Sequence, residues 1–123
     1  MPQLDWAIDI IHATSGTGAA FQPKLVPPAH AGDPLKAQIG DIVTWGNRTG
    51  DTHQPWPTVG NAPDGPPVPV PTSGNPPGFM CDPIPGNQSS TPQFVVPNAA
   101  GGQINYCCRF HPDERGQILI VTL

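Results

Sequence analysis

A thiol and an imidazole stand three residues apart in the run Tyr106-Cys107-Cys108-Arg109-Phe110-His111-Pro112. Cys108 ends a stretch that reads as a strand, and His111 falls in a turn beside Pro112. A Cys-x-x-His pair at a strand-to-turn corner can bind one metal ion, since thiolate and imidazole are both donors to first-row transition metals. A second segment, Gly40-Asp41-Ile42-Val43-Thr44-Trp45-Gly46-Asn47, leads through a loop to His53, which offers another imidazole. Cys108 is the better donor of the two adjacent cysteines on two grounds. It has the two-residue gap to His111, and strand alternation turns it the same way as Ile104 and Tyr106.

Donors this far apart need a folded scaffold, and composition limits which. A chain of 123 residues reads as one domain, residues 1–123, long enough for a core without staples. It holds 19 Pro and 14 Gly, a level at which unperiodic sequences are often disordered. Disorder, however, goes with high net charge and few large apolar residues. Here the net charge is −4 and 37% of the residues are hydrophobic. Gly does not recur every third residue, which excludes collagen. Few stretches of helix length escape a Pro or a Gly pair, which excludes a helix bundle. A loop-rich all-β domain remains. The only Lys and Arg are Lys24, Lys36, Arg48, Arg109 and Arg115, with no basic cluster, so no nucleic-acid partner is expected. No apolar run approaches the length of a membrane span. No signal peptide is visible, and Met1-Pro2 is compatible with a start codon placed before a mature sequence, which hides the compartment.

The strands must place the donors. Trp6, Ile8 and Ile10 alternate and predict a half-buried strand over residues 5–10. An extended piece follows at residues 21–26. Leu35, Ala37 and Ile39 alternate, Gly40-Asp41 turns, and residues 42–45 return, which predicts a hairpin. Residues 47–51 read as a loop that Asn47 shapes before His53. Between Pro55 and Pro97 lie 13 of the 19 Pro and 5 of the 14 Gly, and only residues 93–96 look strand-like there. Ile104, Tyr106 and Cys108 share a face of a strand over residues 103–108, and residues 117–123 predict a closing strand with apolar residues on both faces. Trp6 and Trp45 are expected in the core, His12 and His30 on the surface. Short strands and frequent turns give a β-sandwich or barrel with Greek-key connections. The Pro/Gly-rich segment then reads as a stiffened connection that walls one side of the site.

The pattern Gly-Asp-x-Val-Thr-Trp-x-Asn at residues 40–47, then His53, then Tyr-x-Cys-x-x-His-Pro-x-x-x-Gly-x-Ile at residues 106–118 resembles the cupredoxins, the type 1 copper proteins. The amicyanin and plastocyanin branches are most similar. The resemblance runs from about Leu35 onward with a divergent middle, and Phe21-Gln22-Pro23 fits the family's first half. It implies a cupredoxin-like sandwich with one copper ion, Cu(II)/Cu(I), held by His53, Cys108 and His111, a His₂Cys set. In the amicyanin-like spacing the axial Met falls at Glu114. Neither Met1 nor Met80 lies in the ligand loop. Three arrangements stay open: Glu114 ligates through a carboxylate oxygen, it turns to solvent and leaves a vacant position, or a backbone carbonyl fills the place. A carboxylate would favour Cu(II), lower the reduction potential and move the colour from blue toward green or red. The family often carries Asn, Ser or Thr directly after the first His; here Gln54 stands there.

The resemblance further implies a monomeric electron carrier rather than an enzyme, periplasmic or otherwise extracytoplasmic. A redox protein partner would dock near His111, Phe110, Pro112 and Trp56, with Pro57 on the same apolar rim. The alternatives are a mononuclear copper enzyme or small-molecule-binding red or green copper protein (nitrosocyanin-like), and a copper storage or delivery protein. Zinc is a further candidate, since two His, one Cys and one Glu would also satisfy it. Three cysteines make one pair plus one thiol with another job the simplest arithmetic. With Cys108 on copper, a Cys81–Cys107 disulfide would clip the Pro-rich segment to the ligand strand and imply an oxidising compartment.

Overall fold

Alternating apolar residues draw the chain into two four-stranded sheets. The computed structural model describes residues 4–12, 18–69, 81–91 and 93–122. The strands are β1 (Asp5–His12), β2 (Ala19–Pro23), β3 (Leu35–Ala37), β4 (Ile42–Asn47), β5 (Pro55–Pro57), β6 (Phe94–Val95), β7 (Gln103–Cys108) and β8 (Arg115–Ile120). One sheet has the order β2-β1-β4-β6, the other β3-β8-β7-β5. β1 runs antiparallel to β2 and parallel to β4, which runs antiparallel to β6. β8 runs parallel to β3 and antiparallel to β7, and β7 runs antiparallel to β5. This is the all-β Greek-key sandwich the sequence predicts. Among the described residues there is no α-helix, only two short 3₁₀ turns.

The hairpin predicted from Leu35 to Trp45 does not form. β3 pairs with β8 and β4 pairs with β1, so the two strands lie in different sheets. Leu35 and Ala37 are buried from one sheet, Val43 and Trp45 from the other. Each strand thus meets the core with its own apolar face, which a flat hairpin would not allow. Asp41 holds the corner between them. Its buried carboxylate accepts the backbone N–H of Leu4 (3.1 Å) and Gln38 (2.9 Å) and the indole N–H of Trp6 (2.9 Å). Burial alone would raise the Asp41 pKa, but the hydrogen bonds from Trp6, Gln38 and Leu4 outweigh it and hold the carboxyl below its ordinary value. Gly40 takes φ = +93° at the turn, a conformation that side chains disfavour.

The sheets meet over Ile8, Ile10, Phe21, Val43, Trp45, Ile104, Tyr106 and Ile118, all buried. Tyr106 packs edge-on against Phe21 and Trp45, with ring centroids 4.9 and 5.4 Å away. The Trp45 indole N–H donates to the Tyr106 hydroxyl at 3.1 Å. Gly116 lies opposite Tyr106 in the β7–β8 ladder, and a Cβ there would collide with the phenol ring. That accounts for glycine at this motif position. Trp6 is only half-buried and packs at the edge of this core. β8 starts at Arg115, before the predicted Gln117, and Ile118 is its one fully buried residue. Its apolar outer face is therefore only partly covered, because β8 belongs to one layer of a two-layer sandwich; Leu123 lies outside the described residues. β5 sits where no strand was expected. It is an edge strand, where the missing proline N–H costs no ladder bond. Residues 70–80 of the Pro/Gly-rich stretch lie outside the described residues.

Candidate metal centre

β7 ends at Cys108, and two successive tight turns follow. His111 N–H donates to Cys108 O (3.2 Å), and Glu114 N–H donates to His111 O (2.9 Å). Cys108 N–H donates to Glu114 O (3.0 Å) and closes the loop. This repeat of three turns Cys108, His111 and Glu114 to one side. Arg109 N–H donates to Gln54 O (2.8 Å), tying the loop to the segment that carries His53.

One donor atom from each of His53, Cys108, His111 and Glu114 lies within 4.8 Å of the other three. Cys108 Sγ is 3.7 Å from His53 Nδ1 and 3.6 Å from His111 Nδ1. Metal bonds of about 2.0 Å to nitrogen and about 2.3 Å to sulfur span such gaps around one ion. Glu114 Oε1 is 3.1 Å from His53 Nδ1 and 3.6 Å from His111 Nδ1. The Glu114 side chain is only 4% exposed, so it does not turn to solvent. Its Oε2 accepts the N–H of Ala19 at 2.9 Å, while the buried Oε1 has no hydrogen-bond partner. A bare buried carboxylate oxygen is costly, and a cation among these donors would satisfy it. The residues fit a transition-metal ion.

Burial pushes the Cys108 thiol pKa up. Backbone N–H groups of Gln54, Phe110 and His111 work against that, and the Glu114 charge adds to it. An ion held there would displace the thiol proton. Gln54 supports the sulfur with its backbone N–H, 3.5 Å from Sγ, while its side-chain amide donates to Cys81 O at 2.7 Å. His53 and Ile84 pair as an isolated bridge, so the later part of the Pro/Gly-rich stretch lies against the backbone of His53.

Cys81, Cys107 and Cys108 are all free thiols, so the Cys81–Cys107 disulfide does not form. Cys81 packs in the same core cluster as Cys108, whereas Cys107 is not part of that cluster. Alternation along β7 turns Cys107 away from the side on which Cys81 sits. Burial, then the Asp82 and Cys108 charges, push the Cys81 thiol up to about 12.

A cavity of about 320 Å³ opens beside the group, lined by Thr49, Asp51, His53, His111, Asp113 and Glu114 among others. His12, exposed as predicted, also reaches its wall, and His30 is exposed. The expected apolar rim is only partly present. Phe110 is 49% exposed, Pro112 is exposed and His111 is partly so. Trp56 and Pro57 are buried; the Trp56 indole N–H donates to Val68 O (2.8 Å) and Arg109 covers its ring at 4.6 Å. Sequence reasoning missed Thr49, Ala19 and Ile84. The Asn47-x-Thr49 pattern, two residues that hydrogen-bond local backbone, was the available signal for the first.

No protein-family model and no curated protein matches the sequence. Solved structures do match. A purple cupredoxin from Nitrosopumilus maritimus aligns with a TM-score of 0.60 at 18% identity, covering 94% of this chain and 98% of that one. A reduced Cu(I) form of an amicyanin variant aligns at 0.55 and 19% identity, covering 94% and 82%. A second Cu(I) amicyanin variant gives 0.54 and 20% over the same shares. At these identities the likeness is one of fold, and the fold is the cupredoxin β-sandwich.

Proposed function

We propose that this chain is a small copper protein that carries single electrons, holding one ion between His53, Cys108, His111 and Glu114. The observation that carries the reading is the convergence of those four side chains inside a cupredoxin sandwich. A bound copper ion would supply the Cu(II)/Cu(I) couple. The thiolate suits the reduced ion, the imidazoles suit both states, and the Glu114 oxygen favours the more highly charged one. His53, Cys108 and Glu114 are buried, which leaves His111 as the most exposed of the four donors. His111 is the donor that reaches solvent, so a redox partner would meet the site there, against Phe110 and Pro112. A low charge density suits a transient, largely apolar contact.

The reading includes a monomeric single domain and an extracytoplasmic location, for which the support is the resemblance to cupredoxins; cell fractionation tests the location. Among the described residues no helix is long and apolar enough to cross a membrane. The test of the function is direct. Cu(II) added to metal-free protein is expected to give an intense thiolate-to-copper absorption band, bleached reversibly by one-electron reduction. A colourless protein that keeps Zn(II) in the presence of Cu(II) would overturn it.

A second reading, small-molecule binding at the metal, is favoured by the cavity. Three of the four donors line it, so a ligand entering there would approach from the His53, His111 and Glu114 side. A change in the copper spectrum on adding azide or nitric oxide would establish that reading, and an inert spectrum would remove it.

A further inference from the structure

His53 turns its two ring nitrogens to different neighbours. Nδ1 faces Cys108 Sγ and Glu114 Oε1, and Nε2 lies 3.0 Å from Thr49 Oγ1. Only a bare Nδ1 can donate its lone pair to an ion, so the placement of the ring proton matters.

The backbone decides it in three steps. Asn47 Nδ2 lies 2.6 Å from Asp51 O and 2.9 Å from Ile84 O, both acceptors only. Its Oδ1 lies 2.9 Å from the Thr49 N–H, a donor only. The amide orientation is therefore forced. The Thr49 hydroxyl has one proton and sits 2.7 Å from Asn47 Oδ1 and 3.2 Å from Asp51 O, with the Asp51 N–H donating to Oγ1 at 3.3 Å. With its proton drawn to the nearer of those two acceptors, Oγ1 can only accept from the imidazole. A neutral His53 ring then carries its proton on Nε2. Glu114 Oε1, 3.1 Å away, is the competitor for a proton on Nδ1, but its direction from the ring makes no hydrogen bond to a neutral imidazole.

We infer that Thr49, aimed by Asn47, is a positioning residue that sets the His53 tautomer and leaves Nδ1 bare toward the centre before any ion arrives. The inference rests on the metal-site reading only in supposing an ion at Nδ1, and not on copper or electron transfer. Outer-shell partners of ligating histidines typically matter by 10–100-fold in metal affinity.

The test uses imidazole nitrogen shifts of the metal-free protein at neutral pH and Zn(II) affinity by chelator competition. A protonated Nε2 and bare Nδ1 in the wild type and in Thr49→Ser are expected. Thr49→Val, which keeps the shape and removes the hydroxyl, is expected to lose the single tautomer and about 10–100-fold in Zn(II) affinity. A proton on Nδ1 in the metal-free wild type, or a Thr49→Val affinity within about twofold of wild type, would overturn the inference. If Thr49→Val does not fold, the wild-type tautomer alone decides. Because the tautomer is read without metal, a failure of the electron-carrier reading leaves this result separate.

Discussion

His53 and Ile84 exchange two backbone hydrogen bonds, His53 N–H to Ile84 O at 3.2 Å and Ile84 N–H to His53 O at 2.7 Å. The pair stitches the backbone of His53 to the later part of the Pro/Gly-rich stretch. Asn47 Nδ2 strengthens the stitch by donating to Ile84 O. Two residues on, Gly86 lies so close that a Cβ there would sit 2.7 Å from Thr49 O and 3.1 Å from the Gly50 backbone.

Gly86→Ala should therefore push the loop of residues 47–51 away from the returning chain. A loss of about 1–3 kcal/mol of stability is expected, the usual cost of overpacking, read by denaturant unfolding. Hydrogen exchange should find the His53 and Ile84 amides protected in the wild type and faster in the variant.

Glu114 offers one oxygen to Ala19 and the other to the centre. Glu114→Gln removes the negative charge while keeping most of the shape. With copper bound, the reduction potential is expected to rise, by about 59 mV for each tenfold shift in relative affinity toward Cu(I). Glu114→Met should raise it as well and move the absorption toward the blue type. Voltammetry and visible spectra check both; an unchanged potential would exclude Glu114 as a donor.

Cys108 and Cys107 are adjacent and face opposite ways, which makes their variants a matched control. Cys108→Ala is expected to abolish the thiolate-to-copper band. Cys107→Ala should leave the band in place, at a stability cost of about 1 kcal/mol for a lost buried sulfur. The reverse pattern would reassign the sulfur donor.

Asp41 supplies a pH dependence with a definite sign. Its folded pKa lies below the unfolded value, so its contribution is fully present above about pH 4 and is lost as pH falls through the folded pKa. Asp41→Asn is expected to cost about 1.5–3 kcal/mol at pH 7, the range for hydrogen bonds to a charged group. The gap between wild type and variant should narrow as the pH is lowered toward that folded value, measured by urea unfolding at each pH.

Much of the candidate site's arrangement was legible because local spacing encodes it. Cys108, His111 and Glu114 recur at three-residue intervals, and that interval is the turn geometry itself. The fold class followed from alternation at Trp6-Ile8-Ile10 and Ile104-Tyr106-Cys108. What sequence did not carry were choices made across the interior. Leu35–Trp45 has every local mark of a hairpin, yet Ile118 is the partner Leu35 takes and Trp45 pairs with Ile8. Trp56 has the look of a rim residue until Val68 and Arg109 cover it. A disulfide was a matter of counting until the two faces of β7 separated Cys107 from Cys81.

The pairing of Leu35 with Ile118 also bears on when the donors come together. A parallel ladder between such distant segments closes a very long loop, and pairing of that kind forms slowly. His53 leaves the ribosome well before Cys108, His111 and Glu114, and β8 follows directly behind them. The four donor side chains can therefore meet only after residues 108–114 have been made and have docked against the segment that carries His53.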